Sequence, residues 1–483
     1  MRKVEKIDIN KLEDYLWEIP KSFRKDMRVP ARILASESLL DGIIEDRSLN
    51  QLVNVATLPG IQKASMVMPD VHEGYGFPIG GVAATRYPDG VISPGGIGYD
   101  INCGVRLLTS KLQIDDVKVK MEALSKEMYA QIPSGMGKGG QIKLFSDEME
   151  EVLSKGAEWA VENGYGNKED LEYIESHGKL SYADPSLVSE MAKKRGTDQL
   201  GTIGSGNHFV EVDYVEDIYD DEIANAYNLK KGQLVVLIHT GSRGLGHQVA
   251  TDYIRIMMNA MSKYNIELPD RELACAPFNS EEGQNYFKAM CAAANYAWCN
   301  REVISWEVRT AWNNIFGKEG GELKLLYDVA HNIAKIENYL IDAIEQKVIV
   351  HRKGATRAFG PGFEELPDAY INAGQPVIIP GSMGTCSYVL AGTTKSKAVT
   401  FGSCCHGAGR RLSRRAAKRQ VNAPVLKEAL KERGIYVEAG SFKGIAEEAP
   451  IAYNDVNQVV ETVQASGIAK KIAKLRPVAV VKG

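Results

Sequence analysis

The sequence predicts a mixed α/β fold in which strands and helices form one large body. Short runs of β-branched and other apolar residues alternate with longer segments of helical periodicity, which indicates both kinds of element. The alternation lacks the strict strand–helix–strand rhythm of a parallel, doubly wound sheet. The 483 residues also contain no Pro-, Gly- or Ser-rich linker and no visible internal repeat. We therefore expect no separable domain boundary.

Several short segments between glycine-containing turns have the pattern of β-strands. The runs GGVAATRY and GVIS, joined through Pro88 and Asp89, predict a β-hairpin. Further strands are predicted at residues 103–110, 208–215, 233–239, 347–352 and 375–380.

Helical periodicity is clearest at residues 248–264, 283–306 and 425–433. Residues 115–164 are also predicted to be mostly helical, apart from a glycine-rich loop at residues 134–140. We therefore expect a mostly helical insertion around residues 115–200 within the one body.

The composition is that of an ordinary globular protein, with 44% hydrophobic and 25% charged residues. The formal net charge of -4 does not indicate a general polyanion binder, so an anionic partner must meet a local basic patch. No apolar run has the length of a membrane span, and the N-terminal segment lacks a signal-peptide core. Because the seven cysteines have no regular spacing, we expect no disulfide framework, a cytoplasmic location and no membrane partner.

The histidines are concentrated where predicted strands begin or end. Five of the eight lie there beside glycine or a small polar residue, namely His72, His208, His239, His331 and His406. Backbone loops at strand ends can approach a ligand closely, so these positions are candidates for chemistry.

A second motif, SPGGIGYDINCGVRLL, adds Asp100 and Cys103 to the candidate ligands. Both could instead be structural, as a helix-capping carboxylate and a buried apolar thiol. Together with His208, His239 and His331 they form a set of oxygen, sulfur and nitrogen donors. Ligand softness favours Zn²⁺ for such a set. The number of ligands indicates more than one ion, with the thiolate able to bridge.

The segment GAGRRLSRRAAKRQ places arginine or lysine at positions 410, 411, 414, 415, 418 and 419. On a helix this spacing puts all of them on one face, without a visible acidic partner, and predicts a polyanion-binding surface rather than a merely solvated face. Glycine-containing loops at residues 204–207, 239–244, 351–357 and 380–387 could hold anions, although none matches the P-loop or Rossmann pattern. Beside candidate metal ligands, they indicate phosphoryl or nucleotidyl transfer.

These segments together resemble the RtcB family of GTP-dependent RNA ligases. The resemblance is carried by PGGIGYDINCGVR, GSGNHF, HTGSRGLGHQ, YDVAHN, HRKGATRAF, PGSMGT, CHGAGR and the terminal VVKG, and it extends over about residues 17–483. It implies an RtcB-type fold of mixed β-sheets with surrounding helices, in a single catalytic domain over residues 1–483. That fold is neither a Rossmann fold nor the fold of ATP-dependent ligases.

The resemblance also implies an activity. Members of this family join RNA ends that carry a 2′,3′-cyclic phosphate or 3′-phosphate to 5′-hydroxyl RNA ends, in tRNA splicing and RNA repair. They use GTP and two Mn²⁺ ions, and pass through a GMP-histidine intermediate and an RNA(3′)pp(5′)G end. We therefore expect tRNA exon halves or broken RNAs as substrates, an archease-like activating protein as partner, and a monomer. Mn²⁺ differs here from the Zn²⁺ that ligand softness favours.

The resemblance assigns roles to individual residues. His406 would be the nucleophile that takes GMP, Cys103 would bridge both ions, Asp100 and His208 would complete one metal site, and His239 and His331 the other. The GMP pocket would consist of Asn207, His208, Phe209, Val210, Glu211, His331, Asn332, Pro380, Gly381, Ser382, Met383, Ser387, His406, Gly407, Ala408, Gly409 and Lys482. Candidates for contact with RNA are Arg243, Arg352, Lys353, Arg410, Arg411 and Arg414.

Two other hypotheses fit the residues. A binuclear metal phosphoesterase or nuclease would need the ions but no GTP, and an RNA-binding module would use its metal only for structure. The role of His72 also stays open, because the family pattern around it differs from Val71-His72-Glu73 in this chain.

Overall fold

A computed structural model describes residues 2–135 and 137–483 of the chain. The strands are β1 (Asn10–Glu13), β2 (Leu16–Ile19), β3 (Ala31–Leu34), β4 (Ser65–His72), β5 (Ile79–Arg86), β6 (Val91–Ile92), β7 (Gly104–Gln113), β8 (Phe209–Ile218), β9 (Gln233–Thr240), β10 (Ala276–Pro277), β11 (Lys324–Ala330), β12 (Asn332–Ile341), β13 (Ile344–Lys353), β14 (Ala355–Arg357), β15 (Pro376–Ile379), β16 (Ser387–Gly392), β17 (Ser403–Cys405), β18 (Tyr436–Ala439) and β19 (Ala469–Lys482). The α-helices are α1 (Glu37–Glu45), α2 (Ser48–Val55), α3 (Ile114–Val117), α4 (Met121–Gln131), α5 (Ser146–Lys155), α6 (Ala157–Glu162), α7 (Glu190–Gly196), α8 (Asp221–Ala226), α9 (Arg243–Lys263), α10 (Glu281–Gly320), α11 (Thr394–Val399), α12 (Arg414–Gln420), α13 (Ala423–Glu432), α14 (Phe442–Glu447) and α15 (Val456–Ser466).

The larger sheet has the strand order β11-β7-β9-β8-β19-β16-β15, and β18 pairs in parallel with β19. Its inner strand β9 is buried along its whole length. Because side chains alternate across a strand, Val236 and Ile238 pack in one core cluster, whereas Val235 and Leu237 pack in another on the opposite face. Burial of both faces explains the continuous apolar run in β9.

A layer of helices covers one face of this sheet. The long helix α10 packs against α4, α5, α6 and α9, and its buried side includes Tyr296, Trp298 and Trp312. Ser280 begins the helix by accepting a hydrogen bond from the Gly283 N–H, as expected for an N-cap. Helices α3 to α7 occupy much of the predicted helical insertion and share this core.

The second sheet has the order β1-β2-β3-β4-β5-β13-β12 and is antiparallel except where β3 meets β4. Helix α15 and strands β15 and β16 contribute to the core that covers part of it. The strands β14 and β17 form a short antiparallel pair of their own. The end of β17 lies beside β4 and delivers His406 to the space between the two sheets.

The mixed α/β class is confirmed, and so are the predicted strands that correspond to β7, β8, β9, β13 and β15. The predicted helices correspond to α9, α10 and α13. The predicted hairpin is wrong, because β5 pairs with β4 and β13 on its two edges while β6 pairs with β10. Within the described ranges, no helix is both long and apolar enough to cross a membrane.

Candidate active site

A cavity of about 320 Å³ opens where the two sheets meet. The start of β7, the start of β8, the end of β9 and the turn between β11 and β12 all bring side chains to it. The turn after β17 adds His406 to the cavity wall. The sequence motifs at strand ends therefore converge on one cavity, as the glycine and histidine pattern predicts.

Cys103 lies at the centre of a cluster of possible metal ligands. Its Sγ atom is 3.4 Å from the Nε2 atom of His208 and 3.4 Å from the Nε2 atom of His239. The Asp100 carboxylate lies 2.9 Å from His208 Nε2, and the Nε2 atoms of His239 and His331 are 3.4 Å apart. The donors form two groups that share the thiol, Asp100–Cys103–His208 and Cys103–His239–His331.

The donor set fits a pair of divalent metal ions. The Nε2 atoms of His239 and His331 and the Cys103 sulfur all lie within 4.8 Å of one another, so one ion could bind all three donors. The Nδ1 atom of His208 donates a hydrogen bond to the Ile203 carbonyl at 3.0 Å, so its Nε2 atom is the one that faces the cluster. Carboxylate, thiolate and neutral imidazole are all established ligands of divalent transition metals.

Burial sets the protonation of the ligand cluster. It lowers the pKa of His239 and of His331 well below the usual value, which keeps both imidazoles neutral and able to coordinate. Burial and the Asp100 charge raise the pKa of the Cys103 thiol. Burial opposes ionisation of Asp100 as well, but the hydrogen bond and charge of His208 outweigh it and lower the pKa of Asp100.

The buried guanidinium of Arg301 holds the two ligand-bearing loops together. It donates to the Asn102 carbonyl at 2.8 Å and to the Thr240 carbonyl at 3.0 Å, next to Cys103 and His239 in the chain. Two further hydrogen bonds of 2.8 Å join Arg301 to the Asp328 carboxylate. A sequence pattern does not reveal this contact, since an arginine inside a long helix resembles any surface arginine.

His406 lies beside the ligand cluster and is held by Asp70. The Nδ1–H of His406 donates to Asp70 Oδ2 at 2.7 Å, and its backbone N–H donates to the same oxygen at 3.1 Å. The ring centroid of His406 is 4.8 Å from that of His331. Because Nδ1 carries the shared proton, Nε2 keeps its lone pair. Sequence reasoning missed Asp70, although a carboxylate inside the apolar run of β4 was an available signal.

His72, two residues after Asp70 in the chain, also lines the cavity. Its Nδ1 atom hydrogen-bonds the Asp70 carbonyl at 2.9 Å, and burial lowers the pKa of its imidazole. Cys404 and Cys405 are fully buried next to His406 and lie in an apolar cluster, so they pack rather than line the cavity.

Most of the predicted GMP-pocket residues line this one cavity: Asn207, His208, Phe209, Glu211, His331, Asn332, Pro380, Gly381, Ser382, Met383, His406, Gly407, Ala408, Gly409 and Lys482. Val210 and Ser387 do not. The Val210 side chain packs in the core on the other face of β8, because side chains alternate along a strand. Ser387 is buried behind the wall and accepts a hydrogen bond from the Gly381 N–H at 3.1 Å.

Lys482 lies in the cavity together with the carboxyl groups of Glu211 and Glu448. Burial lowers the pKa of Lys482 to about 8, although Glu448 and Glu211 act in the opposite direction. Burial and the neighbouring Asp213 raise the pKa of Glu211. Tyr453 and Arg410 bind Glu448, the arginine at 3.0 Å.

Of the residues predicted to contact RNA, one is contradicted by the structure and the others occupy different positions. Arg352 is wrong as an RNA contact, because its guanidinium is fully buried and makes two hydrogen bonds to Glu337, at 2.6 Å and 2.8 Å. Lys353 lines the cavity but is buried, with its ammonium among the carbonyls of Tyr75, Phe77 and Gly95. Arg243 lies beside the cluster, with one guanidinium nitrogen 3.4 Å from His208 Nδ1.

The basic segment after His406 is only partly helical. Helix α12 begins after its N-cap Ser413, so Arg410 and Arg411 precede it and the predicted single helical face is wrong. The segment also has acidic partners, since Arg410 and Arg414 pair with Glu448. Arg411 and Arg414 are nevertheless exposed, and Arg410 and Arg414 line the cavity mouth.

Comparison with known proteins identifies the family of the chain. A family model described as tRNA-splicing ligase RtcB matches residues 51–483. A tRNA-splicing ligase RtcB from Thermococcus kodakarensis is 54% identical over 481 residues, which cover 99% of this chain and 100% of the relative. A protein of the same name from Archaeoglobus fulgidus is 53% identical over 477 residues, covering 98% and 99%. Its counterpart in Methanococcus maripaludis is 52% identical over 480 residues, covering 99% and 100%. The chain therefore belongs to the tRNA-splicing ligase RtcB family.

Proposed function

We propose that this protein is an RNA ligase of tRNA splicing and RNA repair. It joins RNA ends that carry a 2′,3′-cyclic phosphate or 3′-phosphate to 5′-hydroxyl ends, at the expense of GTP. Family membership supports the RNA substrate. The observation that carries the chemistry is His406, whose Nδ1 is held by Asp70 at 2.7 Å beside the Cys103 cluster.

In the first step, His406 Nε2 attacks the α-phosphorus of GTP. A nitrogen–phosphorus bond forms, the bond to the bridging oxygen breaks, and pyrophosphate leaves with that oxygen. Asp70 stabilises the positive charge that develops on the imidazole, as a carboxylate does beside a catalytic histidine. The product is a GMP-histidine, whose phosphoramidate bond is reactive enough to transfer GMP onward.

Two Mn²⁺ ions would be held by the ligand cluster, with Cys103 shared between them. Asp100 and His208 would complete one site, and His239 and His331 the other. When bound, the ions supply positive charge that offsets negative charge developing on the phosphates.

In the second step, an oxygen of the RNA 3′-phosphate attacks the phosphorus of the bound GMP, and the bond to His406 Nε2 breaks. The RNA(3′)pp(5′)G end results. In the third step, the 5′-hydroxyl oxygen of the other RNA attacks the RNA phosphorus, and GMP leaves as the phosphodiester forms. A cyclic phosphate must first be opened to a 3′-phosphate by water.

The wall around His406 supplies the GMP site in this proposal. Ser382, Gly407 and Gly409 lie at tight turns that bring backbone groups close to the cavity. The buried carboxyl of Glu211 can form a hydrogen bond with the edge of a base. The ammonium of Lys482 can form a charge-assisted hydrogen bond with a phosphate. In the proposed GMP site, Val210 contributes only backbone atoms, and Ser387 supports the loop that contains Gly381.

Further parts of the proposal concern the setting of the enzyme. We propose one catalytic domain over residues 1–483 with the helical insertion around residues 115–200, a monomeric state, a cytoplasmic location and activation by an archease-like protein. The arginines at the cavity mouth, Arg410, Arg411 and Arg414, are the proposed contacts with the RNA backbone, together with Arg243.

The dependence on GTP distinguishes the ligase from the two alternatives, a metal phosphoesterase and an RNA-binding module. Protein is incubated with Mn²⁺ and GTP that carries radioactive phosphorus at the α-position, then with a cyclic-phosphate RNA and a 5′-hydroxyl RNA. The proposal requires acid-labile, base-stable label on the protein and a joined RNA. A metal phosphoesterase would instead process the RNA without GTP, and a binding module would leave both RNAs unchanged.

Replacement of Asp70 by asparagine is expected to slow formation of GMP-histidine by a factor on the order of 100 or more. The asparagine amide can donate to Nδ1, which places the imidazole proton on Nε2 and removes the attacking lone pair. The rate of protein labelling by α-labelled GTP measures this, with KM for GTP expected to stay close to that of the unaltered protein.

The exposed carboxylate Asp89, which pairs with Arg86 at the surface, gives a matched control, and Asp89→Asn should label normally. Labelling of Asp70→Asn at the normal rate would show that the carboxylate does not hold the reactive tautomer.

GTP binding is expected to weaken as the pH rises through about 8, because burial lowers the pKa of Lys482 to about 8. Below that pH the Lys482 ammonium is charged and can bind a phosphate of GTP, and above it the charge is lost. The ionisable groups around it are Glu448, Glu211, Arg414 and Arg410. We expect kcat/KM for GTP to fall by about tenfold or more across this titration, the value of one charge-assisted hydrogen bond.

The pH profile of guanylylation without RNA measures the effect, and Lys482→Met should remove the step near pH 8. A profile that keeps the same step in Lys482→Met would assign the titration to another group.

A further inference from the structure

Three aromatic rings form a continuous row from the cavity to the surface. Tyr75 and Tyr99 line the cavity, with ring centroids 5.4 Å apart. Tyr99 in turn stacks on His247, with centroids 4.8 Å apart and planes inclined by 22°. Tyr75 and Tyr99 are half-buried and His247 is exposed. None of these rings has a role in the transfer of GMP to His406.

The backbone holds this row in place. The Tyr75 carbonyl accepts a hydrogen bond from the buried Lys353 ammonium, and the next residue, Gly76, donates its N–H to Glu272 at 2.9 Å. Tyr99 follows a tight turn in which the Gly98 N–H donates to the Pro94 carbonyl at 2.9 Å. His247 belongs to helix α9. The rings are therefore positioned by three separate anchored elements, which limits the ordering cost of binding.

The charges around the row differ on its two sides. The exposed Arg195 donates to Gln248, the neighbour of His247, at 3.0 Å, and the guanidinium of Arg243, which begins α9 one turn before His247, lies beside Thr202 and His208. Glu272 lies on the other side, at Tyr75. A sugar–phosphate chain is attracted to the arginine side and repelled from the glutamate side, whereas a neutral base is not repelled. The arrangement fits a strand whose phosphates face the arginines and whose bases face the rings.

We propose that the row Tyr75–Tyr99–His247 is a stacking platform for unpaired bases at an RNA end. Tyr99 precedes the metal-ligand candidate Asp100, so a base on this row places its own nucleotide next to the cluster. Stacking is independent of base identity, because every base has an aromatic face. The platform would let one enzyme accept RNA ends of any sequence, provided that the terminal nucleotides are unpaired. This inference rests on the proposed function, because it assigns the binding of that enzyme's RNA substrate.

The test uses the full chain and short single-stranded RNAs ending in a 3′-phosphate or a 5′-hydroxyl. Each is made with its terminal base present and with an abasic ribose in its place. For at least one of the two ends, we expect the base-bearing RNA to bind about 5- to 100-fold more tightly, as stacking on aromatic side chains provides. Fluorescence anisotropy gives both dissociation constants.

The substitutions Tyr75→Leu and His247→Leu should reduce that ratio toward one, while Tyr75→Phe and His247→Phe should preserve it. Equal binding of base-bearing and abasic RNAs of both kinds by the unaltered protein overturns the proposal, even if a leucine variant fails to fold. An undiminished ratio in both leucine variants overturns it as well. Labelling by GTP without RNA, measured in parallel, reports the proposed function separately, because absence of label there bears on His406 and not on the rings.

Discussion

The His406→Ala variant is expected to form no covalent GMP. The turn after β17 brings the His406 side chain to the cavity, and Asp70 leaves its Nε2 atom free to attack. Without the His406 imidazole, the nitrogen–phosphorus bond to GMP cannot form, so we expect a complete rather than a partial loss of labelling. Incubation with Mn²⁺ and α-labelled GTP, followed by denaturing electrophoresis, measures the label on the protein.

His177 provides the matched control, because it is exposed and far along the chain from the cavity motifs. Since His177 has a left-handed backbone with φ of 54°, asparagine is the suitable replacement. His177→Asn should label like the unaltered protein. Label that persists in His406→Ala would place the covalent GMP on another residue and refute the proposed nucleophile.

The Cys103→Ala variant is expected to lose tight binding of both metal ions together. The thiol belongs to both ligand groups, so its removal leaves Asp100 with His208 on one side and His239 with His331 on the other. Guanylylation should fall by more than about 100-fold, since loss of outer-shell partners alone costs about 10- to 100-fold. Titration calorimetry with Mn²⁺ gives the stoichiometry and affinity, independently of activity.

Cys404→Ala is the control, because Cys404 is a buried thiol close to His406 that packs in an apolar cluster. It should bind two ions per chain in the proposed scheme, at some cost in stability. Two ions bound with unaltered affinity in Cys103→Ala would remove the shared thiolate from the proposal.

The fold was predictable where local patterns decide it. The apolar run of β9 and the periodicity of α10 follow from burial on both faces of a strand and along much of a helix. The actual partners of β5 and β6 were not predictable, because a turn at Pro88 is compatible with strands that pair elsewhere. The partner of β6 is β10, which lies far along the chain.

The candidate site was predictable to the extent that its donors carry recognisable local motifs. Asp100, Cys103 and the cluster histidines lie at or next to strand ends, and the fold brings those ends together. Asp70 was missed because its partner is separated from it by 336 positions in the sequence. Arg352 was misassigned because only the pairing of β12 with β13 buries its guanidinium and places Glu337 within its reach.

The most direct test of RNA ligation through His406 is a single turnover by protein that already carries GMP, with free GTP removed. A 3′-phosphate RNA and a 5′-hydroxyl RNA are added with Mn²⁺, and joined RNA and released GMP are both quantified. We predict one GMP released for each junction formed, with label passing from the protein through an RNA(3′)pp(5′)G end. Junctions formed while the label stays on the protein, or loss of the 3′-phosphate without any junction, would contradict the proposed function.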